Sequence, residues 1–323
     1  MGNYVGIDIS KLGFDASLPG TKGDCLTVRC DNNERGYGIL SKSLPEDAHC
    51  VMEATGPYCL RLALHLHGKG IAVSVVNPLA VRRFTQMRMA RAKTDRTDAK
   101  LIAEYGKSER PPLWEPPKGY IHELQQDNTV LDSLVKQRTM LSNQKEALTQ
   151  LPCVSAEAVA ALEPVAGQLG EQIAVLEKAM ERKALDNCPE LYRSLKSIPG
   201  IGPKTSIQLI VITHGFARFR NGKQLAAYIG LCPRIFQSGT SVKGRSRICK
   251  MGMGRARALL YLCAMNARKG NRACRELYER LRLNGKPPKV ALIAVANKLL
   301  KQAFALGTRL EIYSEAKYNS VTI

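Results

Sequence analysis

The chain has 323 residues, enough for two or three domains with separate cores. Its hydrophobic fraction of 45% is ordinary, and no continuous apolar run reaches the roughly 18 residues of a membrane span. The formal net charge is +20, and residues 191–323 carry the whole excess, with 25 basic residues against 4 acidic ones. So basic a segment favours DNA or RNA as partner over an anionic membrane surface.

The first 110 residues predict an α/β domain. Three short alternating segments, "YVGIDI", "FDASLPG" and "CLTVRC", are typical of strands. A helix at "NNERGYGILSKSL" follows, and then two buried strands, "HCVMEATG" and "IAVSVVNP", alternate with helices at "PYCLRLALHLHGKG" and "LAVRRFTQMRMA". A meander of three strands followed by alternating strands and helices predicts a mixed α/β sheet with helices packed on it. Ribonuclease-H-like (RuvC-like) folds have this order of strands and helices.

The proline-rich stretch "PPLWEPPKG" marks a boundary, so we predict a helical linker over 111–190 and a basic, mainly α domain over 191–323. The linker carries apolar residues at heptad-like spacing: Leu124, Leu131, Leu134, Leu141 and Leu148, then Ile173, Leu176 and Met180. An antiparallel helical pair or a coiled coil that joins chains would explain this stripe. A linker packed on its own domain explains it equally well.

Four acids in the first domain are candidates for a metal site. Asp8 lies within the first strand on the face opposite Ile7 and Ile9, and Glu53 ends the fourth strand. Asp95 and Asp98 of "KTDRTDA" open a helix, and their spacing predicts that both lie on its inward face. Four carboxylates at one sheet edge would repel each other without divalent cations, and an all-oxygen set suits magnesium.

The last two acids also have an ordinary explanation. Acidic residues in a first helical turn are favoured by the helix dipole, and Thr94 is the expected N-cap. From the spacing alone, this structural explanation is the stronger one. Asp8 is different, because an acid within an apolar strand is costly unless something compensates its charge.

The basic domain begins with "SIPGIGPKTSIQLI", which has the pattern of a helix-hairpin-helix. Gly200 and Gly202 would let the backbone approach DNA, and Lys204 and the helix N-terminus would contact a phosphate. The alternative is a tight turn between two helices.

A loop rich in cations, glycine and serine follows, with no acid between Gly230 and Tyr261. Its candidate phosphate contacts are Arg234, Ser241, Lys243, Arg245, Arg247 and Lys250. Ser238 could contact phosphate too, or it could attack phosphorus with the cations stabilising the transition state. The residues alone favour phosphate contact.

Six motifs occur together in order: "GIDISK", "MEATGPY", "KTDRTDA", "SIPGIGPKTS", "LAAYIGLCPR" and "QSGTSVKGRSRICKMG". Their combination, from about residue 4 to residue 305, resembles the insertion-sequence transposases of the IS-one-ten type. These are the bridge-RNA-guided recombinases, to which the Piv-type DNA invertases also belong.

The resemblance implies a RuvC-like domain whose Asp-Glu-Asp-Asp set matches Asp8, Glu53, Asp95 and Asp98 and binds Mg²⁺, with two ions expected. It also implies that Ser238 forms a phosphoserine with DNA, with Ser241 ranked second. All five positions hold the expected residue types, and Cys249 is a small departure where serine is common.

The expected protein is a cytoplasmic, nucleoid-associated prokaryotic recombinase. Its partners would be donor and target DNA and a guide RNA, and it would form a homodimer or homotetramer in which the serine of one subunit could complete the acidic site of another. The alternatives are a Piv-type invertase without guide RNA, a metal-dependent nuclease or junction resolvase that uses water, and a non-catalytic nucleic-acid-binding protein.

Overall fold

The computed structural model describes residues 3–20, 24–54, 56–89, 94–234, 237–238, 242–243, 247–249 and 251–315. The chain divides into two compact units, Met1–Pro116 and Pro117–Ile323. The second unit contains residues 117–190 of the predicted helical linker and the whole of the predicted basic domain.

The first unit is built on a five-stranded mixed sheet, whose strands are the three alternating segments and the two buried strands predicted from the sequence. They are β1 (Asn3–Ile9), β2 (Gly13–Pro19), β3 (Cys25–Asp31), β4 (Ala48–Glu53) and β5 (Ala72–Val76). The order across the sheet is β3-β2-β1-β4-β5. Strands β1 to β3 form an antiparallel meander, whereas β4 runs parallel to β1 and β5 parallel to β4.

Four helices cover the two faces of this sheet: α1 (Glu34–Ser43), α2 (Tyr58–Gly68), α3 (Pro78–Met87) and α4 (Asp95–Glu109). Val5, Ile7 and Ile9 of β1 lie in one hydrophobic core with the buried side chains of α1 and α2. On the opposite face, a smaller core contains Val81 of α3 and Ile102 of α4. The alternate residues of β1 therefore lie beneath α4.

Helix α4 makes a very close approach to the central strand at Gly6. A Cβ atom on Gly6 would overlap the carbonyl oxygen of Ala99 and the amide nitrogen of Ala103. Further along the helix, Gly106 packs against the ring of Tyr4 and a methyl group of Val51. The helix thus runs antiparallel to β1, with its N-terminus at the carboxyl end of the strand.

We expect Gly6→Ala to destabilise the protein by about 1–3 kcal/mol, since the obstructing atoms belong to helix backbone and cannot rotate away. Chemical denaturation measures the change. Gly38→Ala is the matched control, because a Cβ there meets nothing within 4 Å and the site lies inside α1. That variant should be neutral or more stable by up to about 1 kcal/mol. Equal effects at the two glycines would contradict the close packing.

The second unit begins with a long antiparallel helical hairpin, α5 (Gly119–Thr149) and α6 (Ala156–Asn187). Lys145 pairs with Glu163 at 2.5 Å near its tip, and Lys183 pairs with Asp127 at 2.8 Å near its base. The predicted helical pair is therefore correct. Among the apolar residues of its stripe, those near the base join the unit's own core: Leu124, Leu131, Ile173 and Met180. That packing agrees with the alternative of a linker on its own domain; whether the hairpin also joins chains stays a prediction.

The rest of this unit is a helical bundle with a β arm. Its elements are α7 (Pro189–Lys196), α8 (Pro203–Thr213), α9 (Gly222–Ile229), β6 (Pro233–Arg234), β7 (Gln237–Ser238), β8 (Val242–Lys243), β9 (Arg247–Ile248), α10 (Gly254–Gly270), α11 (Arg272–Leu283) and α12 (Pro288–Arg309). Helix α12 packs against α7, α9, α10 and α11. Among the described helices, it alone is long and apolar enough to cross a membrane, but 56% of that stretch is buried in the protein. We assign its apolar character to its central place in the core.

Candidate functional site

The first two candidate acids lie on the sheet face that α4 covers. Asp8 is the penultimate residue of β1 and is half-buried, and it shares this face with Gly6. In the parallel β1–β4 ladder, Gly6 pairs with Val51 and Ile7 with Met52. The ladder ends at that pair; Asp8 and Glu53 are the next residues of their strands, and Glu53 is half-buried at the end of β4.

The other two acids occupy the first turn of α4, which the close packing at Gly6 holds near the end of β1. Thr94 caps this helix as predicted, and its hydroxyl accepts a hydrogen bond from the amide of Thr97 at 3.2 Å. Asp98 is half-buried, but Asp95 is exposed. The expectation that both aspartates point away from solvent is therefore wrong for Asp95, whose place at the very start of the helix leaves it exposed.

The charges of these aspartates act on Asp8. Burial raises the pKa of Asp8 above its ordinary value, and the negative charges of Asp98, Asp95 and Asp15 raise it further. Asp95 and Asp98 are thus close enough to Asp8 for their charges to disfavour its ionised form. The positive end of the α4 dipole offsets a part of this repulsion.

Asp15, which the sequence analysis did not single out, belongs to the same group. It lies directly opposite Asp8 in the antiparallel β1–β2 ladder and is 3% exposed. Its neighbours Phe14 and Ala16 are in the core on the other face of the sheet. The signal was present in "FDASL", where an acid alternates with apolar residues just as Asp8 does.

Carboxylate oxygens suit a hard divalent cation such as Mg²⁺, and mutual repulsion of the acids is what such a cation would relieve. In the described part of the chain, however, no three His, Cys, Asp or Glu side chains form a ready-made metal-binding group. The chemistry of the donor set fits a metal, while its coordination geometry is not preformed among those residues.

The loop that carries Ser238 is held together at its two ends. A Cβ atom on Gly230 would overlap the carbonyl oxygen of Met251, and one on Gly252 would overlap that of Tyr228. Both glycines have positive φ, +85° and +118° respectively, a conformation that other residues rarely adopt. The amide of Cys249 donates to the carbonyl of Cys232 at 2.9 Å, which closes the base of the loop.

Between these ends the backbone forms a two-part β arm. Arg234 of β6 pairs with Arg247 of β9 at its base, and Gln237 of β7 pairs with Lys243 of β8 nearer the tip. Ser238 pairs with Val242, so it is the last paired residue on its strand. Ser241, Arg245 and Lys250 lie outside the described residues.

Helix α10, which follows the arm, is anchored to the helical hairpin and to α9. Arg255, in the first turn of α10, forms an ion pair with Asp132 of α5. The guanidinium of Arg257 donates to the carbonyl of Ile229 at 2.9 Å, at the end of α9. These two contacts hold the first turn of α10 against α5 and against the end of α9.

The predicted helix-hairpin-helix falls at the turn between α7 and α8. Gly200 has φ +100°, and a Cβ there would come within 2.7 Å of the Ala267 side chain, so the turn packs closely on α10. Gly202 precedes α8 and is exposed. Lys204 forms an ion pair with Glu177 of α6 at 3.1 Å. Packing against α10 thus accounts for Gly200, and the ion pair with Glu177 accounts in part for Lys204. Phosphate binding at this turn stays a prediction.

Comparison with known proteins relates both units to one family. Residues 5–151 match a sequence model of DEDD-type transposases, and residues 192–279 match the transposase IS116/IS110/IS902 family. The pilin gene-inverting protein of Moraxella lacunata is 34% identical over 94% of this chain and 95% of its own length, and that of Moraxella bovis is 34% identical over the same shares. The transposase for insertion sequence element IS1111A of Coxiella burnetii is 27% identical over 76% of this chain and 74% of its own.

The chain belongs to the IS110 (IS-one-ten) family of transposases. It is therefore a DNA recombinase, and the family predicted from the six motifs is confirmed. The non-catalytic alternative is excluded. This IS110 transposase combines an acidic group on an α/β unit with a basic, serine-bearing arm on a helical unit.

The two explanations for "KTDRTDA" make different predictions. Asp95→Asn should abolish DNA cleavage while changing stability by less than about 1 kcal/mol, because Asp95 is exposed and does not cap α4. Thr94→Ala, the matched control, should cost about 1 kcal/mol of stability through loss of the N-cap. Cleavage of labelled DNA and thermal unfolding measure the two effects. If Asp95→Asn cleaves at the wild-type rate, the acid serves the helix alone.

Proposed function

We propose that this transposase cuts and rejoins DNA through a phosphoserine at Ser238, assisted by divalent cations held at Asp8, Glu53, Asp95 and Asp98. The observation that carries the proposal is the convergence of acids beside the N-terminus of α4, where the charges of Asp95 and Asp98 act on Asp8. We further propose that the first unit has a ribonuclease-H-like fold, which the strand order β3-β2-β1-β4-β5 supports.

In the covalent step, the Ser238 oxygen forms a bond to phosphorus as one of the two phosphorus–oxygen bonds that link the phosphate to the sugars breaks. The serine gives up its proton, and the departing sugar oxygen takes one up. The reverse attack by a sugar hydroxyl on the phosphoserine rejoins DNA without a net change in the number of phosphodiester bonds. Bound Mg²⁺ would stabilise the charge on the attacking and leaving oxygens.

The residues of the arm have a supporting role in this step. We propose that Arg234, Lys243, Arg245, Arg247 and Lys250, with Ser241, hold the DNA phosphates around Ser238. The closed base at Gly230 and Gly252 supports this role, since it fixes the position of the arm's two ends on the bundle. A defined position for the nucleophile reduces the entropy that must be lost when DNA binds.

The serine mechanism is tested by trapping. Wild-type protein incubated with labelled DNA from its own element should give a covalent adduct that survives denaturation, and Ser238→Ala should give none. Ser246→Ala is the control, because it removes a serine from the same loop and should leave the adduct intact. An adduct formed by Ser238→Ala would refute the assignment. Cleavage by the wild type without any adduct would instead favour a nuclease or junction resolvase that uses water.

DNA inversion is a second candidate outcome of the same chemistry. It is favoured by the pilin gene-inverting proteins of two Moraxella species, each 34% identical over 94% of this chain. Transposition is favoured by the IS1111A relative. The residues considered above serve either outcome, because both consist of cutting and rejoining DNA.

We also propose a guide RNA, a homodimer or homotetramer and a cytoplasmic, nucleoid-associated location, on the basis of family membership and the basic charge. If RNA guides the reaction, protein purified from its host should carry a structured RNA encoded beside its gene, and sequencing of the bound RNA would identify it. Ribonuclease treatment should then stop recombination in a purified reaction. Unchanged recombination after that treatment would favour an unguided invertase.

A further inference from the structure

Asp15 lies in the acidic group but outside the four positions that the family motifs mark. It faces the same side of the sheet as Asp8, its direct partner in the β1–β2 ladder, and α4 packs over that side. Asp15 is 3% exposed, whereas Asp8 is half-buried and Asp95 is exposed. Of these three aspartates, Asp15 is therefore the one most shielded from water.

The buried charge of Asp15 has little compensation within the described residues. Its Oδ1 atom is buried and has no hydrogen-bond partner there. Its Oδ2 atom lies 3.9 Å from Nη1 of Arg29, but the Arg29 side chain is 70% exposed. An ion pair that long, with one partner in solvent, contributes little to stability, whereas removing a carboxylate from water is costly.

The surroundings of Asp15 add to this cost. Its neighbour across the ladder is Asp8, so two carboxylates lie at directly opposite positions on the same side of the sheet. A residue kept only for packing at this position would be better served by an uncharged side chain of the same shape, such as asparagine. A positive charge bound between Asp15 and Asp8 would offset the burial and the repulsion together.

We propose that Asp15 is a fifth carboxylate of the cation site, which holds the same divalent cation as Asp8 either directly or through a water molecule on that cation. This inference rests on the proposed metal dependence and extends it to a residue of β2. Asp15 then forms the buried side of the site, while Asp95, on the first turn of α4, remains open to solvent.

The test is cation binding by the full-length, metal-free protein. Mn²⁺ is titrated and followed by the loss of the free-ion electron paramagnetic resonance signal, and Mg²⁺ is assayed by the rise it causes in the melting temperature. Asp15→Asn should bind Mn²⁺ about tenfold more weakly or worse, a loss typical of groups that support a metal ligand. Its melting temperature without metal should equal or exceed that of the wild type, because an uncompensated charge has been removed.

Two variants serve as controls. Asp24→Asn removes an exposed acid from the same unit and should bind Mn²⁺ as the wild type does. Arg29→Gln removes the guanidinium group that lies 3.9 Å from Asp15, and it should also leave the Mn²⁺ affinity unchanged. If Asp15 is instead a structural partner of Arg29, then both Asp15→Asn and Arg29→Gln should lower the metal-free melting temperature, and neither should change cation affinity.

The outcomes separate this inference from the proposal on which it rests. Wild-type affinity in Asp15→Asn would overturn the role of Asp15 alone. Absence of Mn²⁺ binding and of a Mg²⁺ effect in the wild type would overturn the proposed metal site and Asp15's part in it together. If Asp15→Asn does not fold, Asp15→Ser is measured in its place; failure of both neutral variants to fold would show that the charge supports the metal-free protein and would contradict the inference.

Discussion

The close approach of α4 to β1 at Gly6 is the contact on which the acidic site depends. Helix and strand meet there without an intervening side chain, so the first turn of α4 is held at the carboxyl end of β1. Asp8 follows Gly6 by two residues on the same face, and Asp98 is one residue before Ala99, which touches Gly6. A bulkier residue at position 6 would push α4 away from β1 and so separate Asp8 from Asp98, which are ninety residues apart in sequence.

In the second unit, close backbone packing at glycine holds the two ends of the arm that bears Ser238. At Gly230 and Gly252, two segments of backbone approach too closely for any side chain, and the arm that bears Ser238 starts and ends there. In each unit, glycine lets backbone packing define the position of the proposed reactive groups, and those groups themselves need not contribute to the core. Asp15 departs from this rule, since it is buried with its charge on the same sheet.

Much of the fold could be predicted because the strands and helices have clear periodicity. The alternation in "YVGIDI" places Ile7 in the core and Asp8 on the other face, as observed. The exposure of Asp95 could not be predicted from helical spacing, because spacing gives the direction of a side chain but not where the helix ends relative to the sheet. Gly200 was interpreted as a DNA-binding glycine, although its fit against Ala267 depends on α10, which is distant in sequence. Asp15 was missed because no motif marks it, and its pairing with Asp8 depends on the register of two strands.

The central place of α12 has a consequence for how the protein is made. Seven of its apolar side chains lie in the core of the second unit: Leu292, Val295, Ala296, Leu299, Leu300, Ala303 and Leu306. A ribosome releases the chain from its N-terminus, so the first unit can fold while the second still lacks its central helix. The second unit can complete its core only after α12 has been synthesised. A translation product that lacks α12 would therefore contain the α/β unit with its acids. It would lack the packed core that supports the arm bearing Ser238.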